Sequence, residues 1–361
     1  MATSASLPYN RGMTQLDLLL PFAMPPAEMA RDLLRELNMP SLALLMARAS
    51  RTAHQASDGF SRALPHEYWL ASQFGLPAND SDTSPAVAAS GMRTFNLPLE
   101  GGNWFVLQPA HLHITRDHLV LTDHRQLQLT ESDARALFAI VLPLFEEVGK
   151  TLFYGDAQTW FMRADDWNTL QTSTPDAACG HNIDIWMPKG AHERDWRRLQ
   201  NEIQMHWHGN AINDQREARG LKAINSVWLW GGTPVALEPA QTKFEEIFTF
   251  SPIKESFAAL VGKQIPVTSI AEIINSQTQR GLLIQDELTE AGLAGDWSEW
   301  LMRFQAMEAL LFAPLLDAIR NGQLQKLHIT ISHNTAYSTF AVGASSLRKF
   351  WAKPSLARLA S

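Results

Sequence analysis

The stretch around which the chain is organised runs from Glu193 to Pro234 and reads ERDWRRLQNEIQMHWHGNAINDQREARGLKAINSVWLWGGTP. Its first part repeats apolar residues at spacings of three and four, which predicts an amphipathic helix that ends near Trp207. Asn213 is predicted to cap a second, short and charged helix that ends at Gly220. The alternating residues from Ile224 to Trp230 then predict a strand, and a glycine-rich turn follows it.

Three polar side chains of this stretch, Asn213, Arg216 and Asn225, are predicted to converge near the glycine turn. A guanidinium fork beside amide groups suits a phosphate or carboxylate ligand. The same residue types also serve as helix caps, turn residues and surface ion-pair partners. Composition alone favours that second interpretation, because charged side chains are mostly solvated.

The segment NDQREARGLKAINSVWLWGG, from Asn213 to Gly232, resembles the RpfE-type regulatory protein family of proteobacteria, as do LDLLLPFAMPP near the start and RKFWAKPSLARL near the end. This resemblance extends over nearly the whole chain. The central segment is more distantly similar to the archaeal-type cofactor-independent phosphoglycerate mutases of the alkaline phosphatase superfamily. The resemblance implies an α/β fold with a mostly parallel, doubly wound sheet of alkaline-phosphatase-like type and a smaller inserted α+β domain.

The mutase resemblance also implies roles for individual residues. Arg216, together with Asn213, would hold the phosphorylated substrate. Asn210 stands where the mutase motif has a histidine, and His206 and His208, just upstream, are the alternatives for that role. His111, within QPAHLHIT, matches the histidine of a second family segment. The residues predicted to bind a ligand are therefore Arg216, Asn213, Asn225, His208, Asn210 and His111.

The metal ligands that the superfamily would require are missing from their expected places. Its first strand ends in a metal-binding aspartate, whereas the tip here reads Leu20-Pro21-Phe22, and Ala43 stands where a second aspartate is expected. The remaining candidates lack the expected spacing; they are Asp286, Asp296, His328 and His333. We therefore predict no catalytic residue, no metal and no cofactor, with Mn or Zn as the alternative for an active enzyme.

Composition and charge narrow the function classes. The chain has 361 residues, of which 45% are hydrophobic, and a net charge of -7, which argues against general nucleic-acid binding. The single cysteine, Cys179, excludes a disulfide within the chain and a cysteine zinc site, and a cytoplasmic location is expected. No apolar run is long enough to span a membrane. The basic tail around Phe350 and Trp351 is expected to be a solvated end that packs its two aromatic side chains, with a docking patch as the alternative.

Three segments are predicted from the distribution of strand and helix patterns. Residues 1–14 are expected to be a disordered lead-in, residues 15–94 and 236–361 a discontinuous α/β core domain, and residues 95–235 an inserted α+β domain that carries the central motif.

Three function classes remain open. The first is a non-catalytic regulatory protein that retains a phosphate- or carboxylate-type pocket for a phosphorylated small molecule and has lost the metal centre of its mutase-like ancestor. The second is an active metal-dependent phosphomutase or phosphohydrolase. The third is an interaction module whose aromatic side chains bind a protein partner.

Overall fold

The apolar run near the start of the chain forms the centre of a seven-stranded sheet. The structure is a computed structural model that describes residues 13–77, 82–234, 242–251 and 257–360. Strand β1, Met13–Leu20, is buried except at Thr14 and has a parallel neighbour on each side. A central strand of a covered parallel sheet buries both of its faces, so the residues of β1 are buried without alternation, including the polar side chains of Gln15 and Asp17.

Numbered in chain order, the other strands of this sheet are β2 Ser50–Ala56, β9 Glu246–Thr249, β10 Gln264–Pro266, β11 Arg280–Ile284, β12 Leu324–Ser332 and β13 Ala336–Gly343. They are arranged as β10-β9-β11-β1-β12-β13-β2. The pairs from β10 to β12 are parallel, and β13 and β2 add an antiparallel edge. The chain thus has a mixed α/β fold with a large, mostly parallel sheet, as predicted. Its alkaline-phosphatase-like type stays a prediction.

Helices follow most strands of the large sheet. They are α1 Ala27–Glu36, α2 Pro40–Arg48, α3 Pro65–Gln73, α4 Ala88–Thr94, α9 Phe257–Val261, α10 Ile270–Asn275, α11 Thr289–Ala294, α12 Trp297–Met307 and α13 Ala313–Arg320. The apolar spacing from Asp296 to Asn321 predicts one long helix; in the structure a π-helical segment, Glu308–Phe312, joins α12 to α13 within it. Short 3-10 turns occur at His124–Leu127, Asp165–Trp167, Ile183–Ile185, Ser346–Arg348 and Ala357–Ala360.

A second, four-stranded antiparallel sheet has the order β6-β7-β3-β8. Its strands are β3 Asn103–Ala110, β6 Thr151–Tyr154, β7 Trp160–Arg163 and β8 Ser226–Pro234, and a small hairpin pairs β4 Leu112–Ile114 with β5 Leu119–Leu121. The helices in this part of the chain are α5 Glu131–Glu147, α6 Pro175–Ala178, α7 Glu193–Trp207 and α8 Ala211–Ala218. All of these elements fall within the predicted insert, residues 95–235, although the division into domains itself stays a prediction.

The sequence makes predictions about both the start of the chain and its helices. The predicted lead-in falls outside the described residues except at its last two positions, where β1 has already begun. Among the described residues, no helix combines the length and apolar character needed to cross a bilayer.

Candidate functional site

Arg216, the centre of the predicted anion site, points into the protein interior, where its side chain is 0% exposed. Its Nε donates to the carbonyl of Lys222 at 3.0 Å, one Nη donates to the carbonyl of Leu127, and the other lies 3.4 Å from the Asp133 carboxylate. The guanidinium therefore ties α8 to the start of α5 through groups of its own chain. This is a structural role, and the anion-binding role stays a prediction.

The asparagines of the motif also hydrogen-bond within the chain. Asn213 donates to the carbonyls of Trp207 and Ile224 at 3.0 and 2.9 Å, and it accepts from the Ile224 amide at 2.8 Å. It lies inside α8, so its predicted role as N-cap is wrong. The cap is Asn210, because α8 begins one residue after it at Ala211. The short charged helix thus starts earlier than its charged residues suggest.

The other predicted ligand residues hydrogen-bond to the backbone or lie at the surface. Asn225 exchanges two hydrogen bonds of 2.8 Å with the backbone of Leu112. The His111 Nδ1 lies 2.7 Å from the carbonyl of Ala223. His208 is exposed at the end of α7. The motif thus forms a network of backbone clamps between α8, β8 and the β4 hairpin.

A different set of polar residues is buried at the carboxyl ends of β1 and β11. The small cavity there is lined by Leu19 and Pro21 from β1 and its tip, and by Ile284 and Asp286 from β11 and the residues after it. Ligand sites of open parallel sheets lie beyond the carboxyl ends of the strands. We call the ionisable residues in and beside this cavity the strand-end cluster; its members are His66, Glu67, Asp123, Arg125, Asp176 and Asp286.

Two helix starts deliver carboxylates to the cluster. Glu67 lies in the first turn of α3, where its Oε2 accepts from the amide of Leu64 at 2.6 Å and from the hydroxyl of Thr174 at 2.7 Å. Thr174 is itself the N-cap of α6, and Asp176 lies in the first turn of that helix. Acidic residues are favoured at helix N-termini. The positions of both carboxylates are therefore explained by the helix starts alone, without any interaction within the cluster.

Arg125 bridges two aspartates of the cluster. Its two Nη atoms lie 2.9 and 2.7 Å from the two carboxylate oxygens of Asp176, which is a bidentate fork, and one Nη also lies 3.0 Å from Asp123. Asp123 in turn accepts from the Arg125 amide at 2.9 Å and caps the 3-10 turn that carries the arginine. The Arg125 side chain is only 15% exposed. The geometry is that of a strong, charge-assisted buried pair.

The cluster separates the charge states of its carboxyl groups. Burial, reinforced by repulsion from Asp176, raises the pKa of Glu67 to about 8. Burial also opposes ionisation of Asp176, but Arg125 overcomes it and holds the Asp176 pKa at about 2. Burial lowers the pKa of His66 to about 4. Near neutral pH the cluster therefore contains the Arg125–Asp176 ion pair beside a protonated Glu67 and a neutral His66.

The donor set does not fit a divalent metal ion. Both carboxylate oxygens of Asp176 are held by Arg125, and the bonded oxygen of Glu67 already has two donors. Across the part of the chain that the structure describes, no group of three or more His, Cys, Asp or Glu residues is arranged to hold an ion. The guanidinium supplies the positive charge that neutralises the carboxylate in this site. Of the four sequence candidates for metal ligands, only Asp286 reaches the cluster; Asp296 caps α12, and His328 lies 3.2 Å from Asp17.

The strand tip beside the cluster is occupied by a packed aromatic residue. Phe22 adopts a φ of 56°, a left-handed conformation that is uncommon for residues other than glycine. Its ring lies edge-on to His66 with centroids 6.1 Å apart, and a Cβ added to Gly292 would come within 2.6 Å of it. The Trp300 indole donates to the Phe22 carbonyl at 2.8 Å. These contacts hold the strained tip in place.

The pH dependence of stability is expected to show the raised pKa of Glu67. Between its ordinary value of 4.5 and about 8, the folded chain keeps a proton on Glu67 that the unfolded chain releases, so stability falls as the pH rises. His66 opposes this trend only below its unfolded pKa of 6.5. Between pH 6.5 and 8 we expect a loss of about 1–2 kcal/mol from Glu67.

Urea unfolding at several pH values measures this effect. In Glu67→Gln most of the decline in unfolding free energy with rising pH should be lost. At pH 8 this variant should be more stable than wild type. The matched control is Glu28→Gln, an exposed glutamate in the first turn of α1, which should keep the wild-type profile. A decline that persists unchanged in Glu67→Gln would place the titrating group elsewhere.

Comparison with known proteins shows a similarity of fold but identifies no family for this chain. No family model and no curated protein matches the chain. Among solved structures, the PH0037 protein from Pyrococcus horikoshii is similar with a TM-score of 0.56 and 12% identity, over 92% of this chain and 88% of that one. The cofactor-independent phosphoglycerate mutase from Thermoplasma acidophilum DSM 1728 has a TM-score of 0.46 and 12% identity, over 97% and 95% of the two chains. The first likeness shows a shared overall fold; membership of the RpfE-type family stays a prediction.

Proposed function

We propose that this chain is a non-catalytic regulatory protein derived from a phosphoglycerate-mutase-like ancestor, in which an internal arginine closes the site at the strand ends. The observation that carries the proposal is the bidentate Arg125–Asp176 pair at the place where open α/β sheets bind their ligands. The two-metal phosphoryl transfer that the mutase resemblance implies would need free carboxylate and imidazole ligands at that place. Here Asp176 is paired with Arg125, and burial raises the pKa of Glu67 to about 8.

The size of the cavity supports the same conclusion. The space enclosed by the strand-end cluster is about 20 Å³, which is room for about one water molecule. Pockets for small organic molecules enclose roughly 300–1,000 Å³. A phosphorylated metabolite would have to displace Arg125 or open the strand tip at Phe22. The proposal does not include anion binding at Arg216, because the guanidinium is already occupied by Asp133 and two backbone carbonyls.

Metal content and turnover test this proposal together. Protein purified in buffer containing Mn²⁺ and Zn²⁺ should contain well under one equivalent of either metal after desalting. It should not interconvert the phosphoglycerates, and it should not hydrolyse a chromogenic phosphate ester. An authentic cofactor-independent phosphoglycerate mutase, treated in parallel, provides the positive control for both measurements. Stoichiometric metal with turnover that Asp176→Asn abolishes would establish the active-enzyme alternative.

A protein-interaction role is favoured by one separate observation. Phe350 and Trp351 are each 79% exposed, so the expectation that the tail packs its aromatic side chains is wrong. The segment is nonetheless anchored, because Arg358 donates to the Ala49 carbonyl at 2.6 Å and Leu359 is fully buried. Exposed aromatic side chains on an anchored segment are typical of binding hot spots. Proteins that copurify with wild type but not with Phe350→Ser/Trp351→Ser would support this role. The same set of copurifying proteins with both would exclude it.

A further inference from the structure

A cavity at the opposite ends of the strands from the strand-end cluster is large enough for a small molecule. It encloses about 560 Å³, within the usual range for small-molecule sites. Its walls come from the end of α3, from α4, from the end of α9 and from the first residues of β9 and β10. None of the residues predicted from sequence to bind a ligand contributes to it. It is therefore a separate candidate for a binding site.

The lining of this cavity is amphipathic. The buried side chains of Phe74, Phe244 and Val261 provide an apolar wall. Two cations, Arg93 and Lys263, lie on the lining, and neither makes an ion pair or side-chain hydrogen bond within the described residues. A cavity that combines aromatic walls with unpaired cations is suited to a molecule with an apolar body and a negative group.

The acidic residues of the lining are already engaged. Glu245 accepts from the Gln279 amide at 2.8 Å, and Glu246 accepts from the Thr278 hydroxyl. Their carboxylates are thus held towards the loop before β11 through these bonds. Arg93 and Lys263 have no such partners in the described part of the chain, so they are free to pair with the negative group of a ligand.

We propose that this cavity binds a small organic anion, such as an aromatic or branched aliphatic carboxylate, sulfonate or phosphate. Its negative group would pair with Arg93 and Lys263, and its apolar body would lie against Phe74 and Phe244. The inference does not depend on whether the strand-end cluster is catalytic. Two helices nevertheless connect the two places, because α3 and α9 each contribute their first residues to the strand-end cavity and their ends to the large one.

Fluorescence titration with anilinonaphthalene sulfonate, an aromatic anion of suitable size, tests the proposal on the intact chain. Wild type should bind one equivalent saturably. Arg93→Gln/Lys263→Gln should bind about tenfold more weakly or worse, since charge-assisted hydrogen bonds are lost. The uncharged parent compound, phenylnaphthylamine, should bind both proteins about equally. Ser90→Leu, which narrows the cavity from α4, should weaken both probes.

The matched control is Arg31→Gln/Lys326→Gln, which removes the same charge from two exposed positions outside the cavity. It should bind both probes as wild type does, and its thermal unfolding should match that of the cavity variant. The proposal is overturned if the control weakens sulfonate binding as much as the cavity variant, if wild type shows no saturable site, or if Ser90→Leu leaves both affinities unchanged.

Discussion

Arg125→Met is expected to destabilise the folded protein by about 3–5 kcal/mol, because it leaves buried carboxylates without their counter-charge. Asp176 is 4% exposed and takes both of its fork contacts from this guanidinium. Methionine has a comparable length and fills much of the same space. The loss of stability therefore reports mainly the removal of the positive charge and only to a small extent the change in side-chain volume. The pKa of Asp176 should rise towards that of a buried, unpaired carboxyl, and proton uptake should limit the loss at low pH.

Urea unfolding of two further variants tests whether the loss comes from the Arg125–Asp176 ion pair. Arg163→Met removes an arginine whose Nη lies 2.8 Å from an Asp165 carboxylate oxygen near the surface, and its cost should be much smaller than that of Arg125→Met. Arg125→Met/Asp176→Asn removes the pair as a unit and should recover a large part of the loss. A loss for Arg125→Met no larger than that for Arg163→Met would show that the buried pair is not formed in solution.

Arg216→Met is expected to lower the free energy of unfolding by about 3 kcal/mol, because two backbone carbonyls and part of a carboxylate lose their donor inside the protein. The carbonyls belong to Leu127 and Lys222, and the carboxylate to Asp133. If Arg216 instead served as a ligand-binding residue, its replacement would change ligand affinity and leave the stability of the ligand-free protein nearly intact.

Arg219 offers a close control for Arg216. It lies on the next turn, its side chain is 51% exposed, and it reaches the same carboxylate of Asp133 at 3.2 Å. Arg219→Met should therefore change stability by less than about 1 kcal/mol. Equal effects of the two replacements, or no loss for Arg216→Met in the absence of ligand, would contradict the structural role.

Elements whose boundaries depend on local chemistry follow from the sequence. Thr130, with Asp133 three residues later, predicts a capped helix, and this helix is α5, in which the Thr130 hydroxyl accepts from the Asp133 amide. The sequence also predicts a helix from Ile270 to Asn275 and a strand that begins at Gln264, and both are present. The sequence predicts β12 as the last strand, and it predicts neither β2 nor β13. Their antiparallel pairing joins residues almost three hundred positions apart, and no local pattern encodes such a pairing.

The candidate site was harder to predict for the same reason. Glu67, Arg125, Asp176 and Asp286 come from four separate segments, and Glu67 and Asp176 look locally like ordinary first-turn residues. One available signal is the repeated occurrence of a polar residue directly after a proline-initiated helix start, as at Pro65 and Pro175. The segment from Asn213 to Gly232 gives a stronger signal because its polar residues lie close together in the sequence. In the structure they clamp the backbone.

The most direct test of the closed strand-end site is a crystal structure of the wild-type protein grown and soaked with MnCl₂ and 3-phosphoglycerate, measured with anomalous scattering from manganese. The account predicts the Arg125 guanidinium on Asp176 and no anomalous peak within the strand-end cluster. A manganese ion bound by Asp176, Asp286 or His66, with Arg125 displaced, would contradict it.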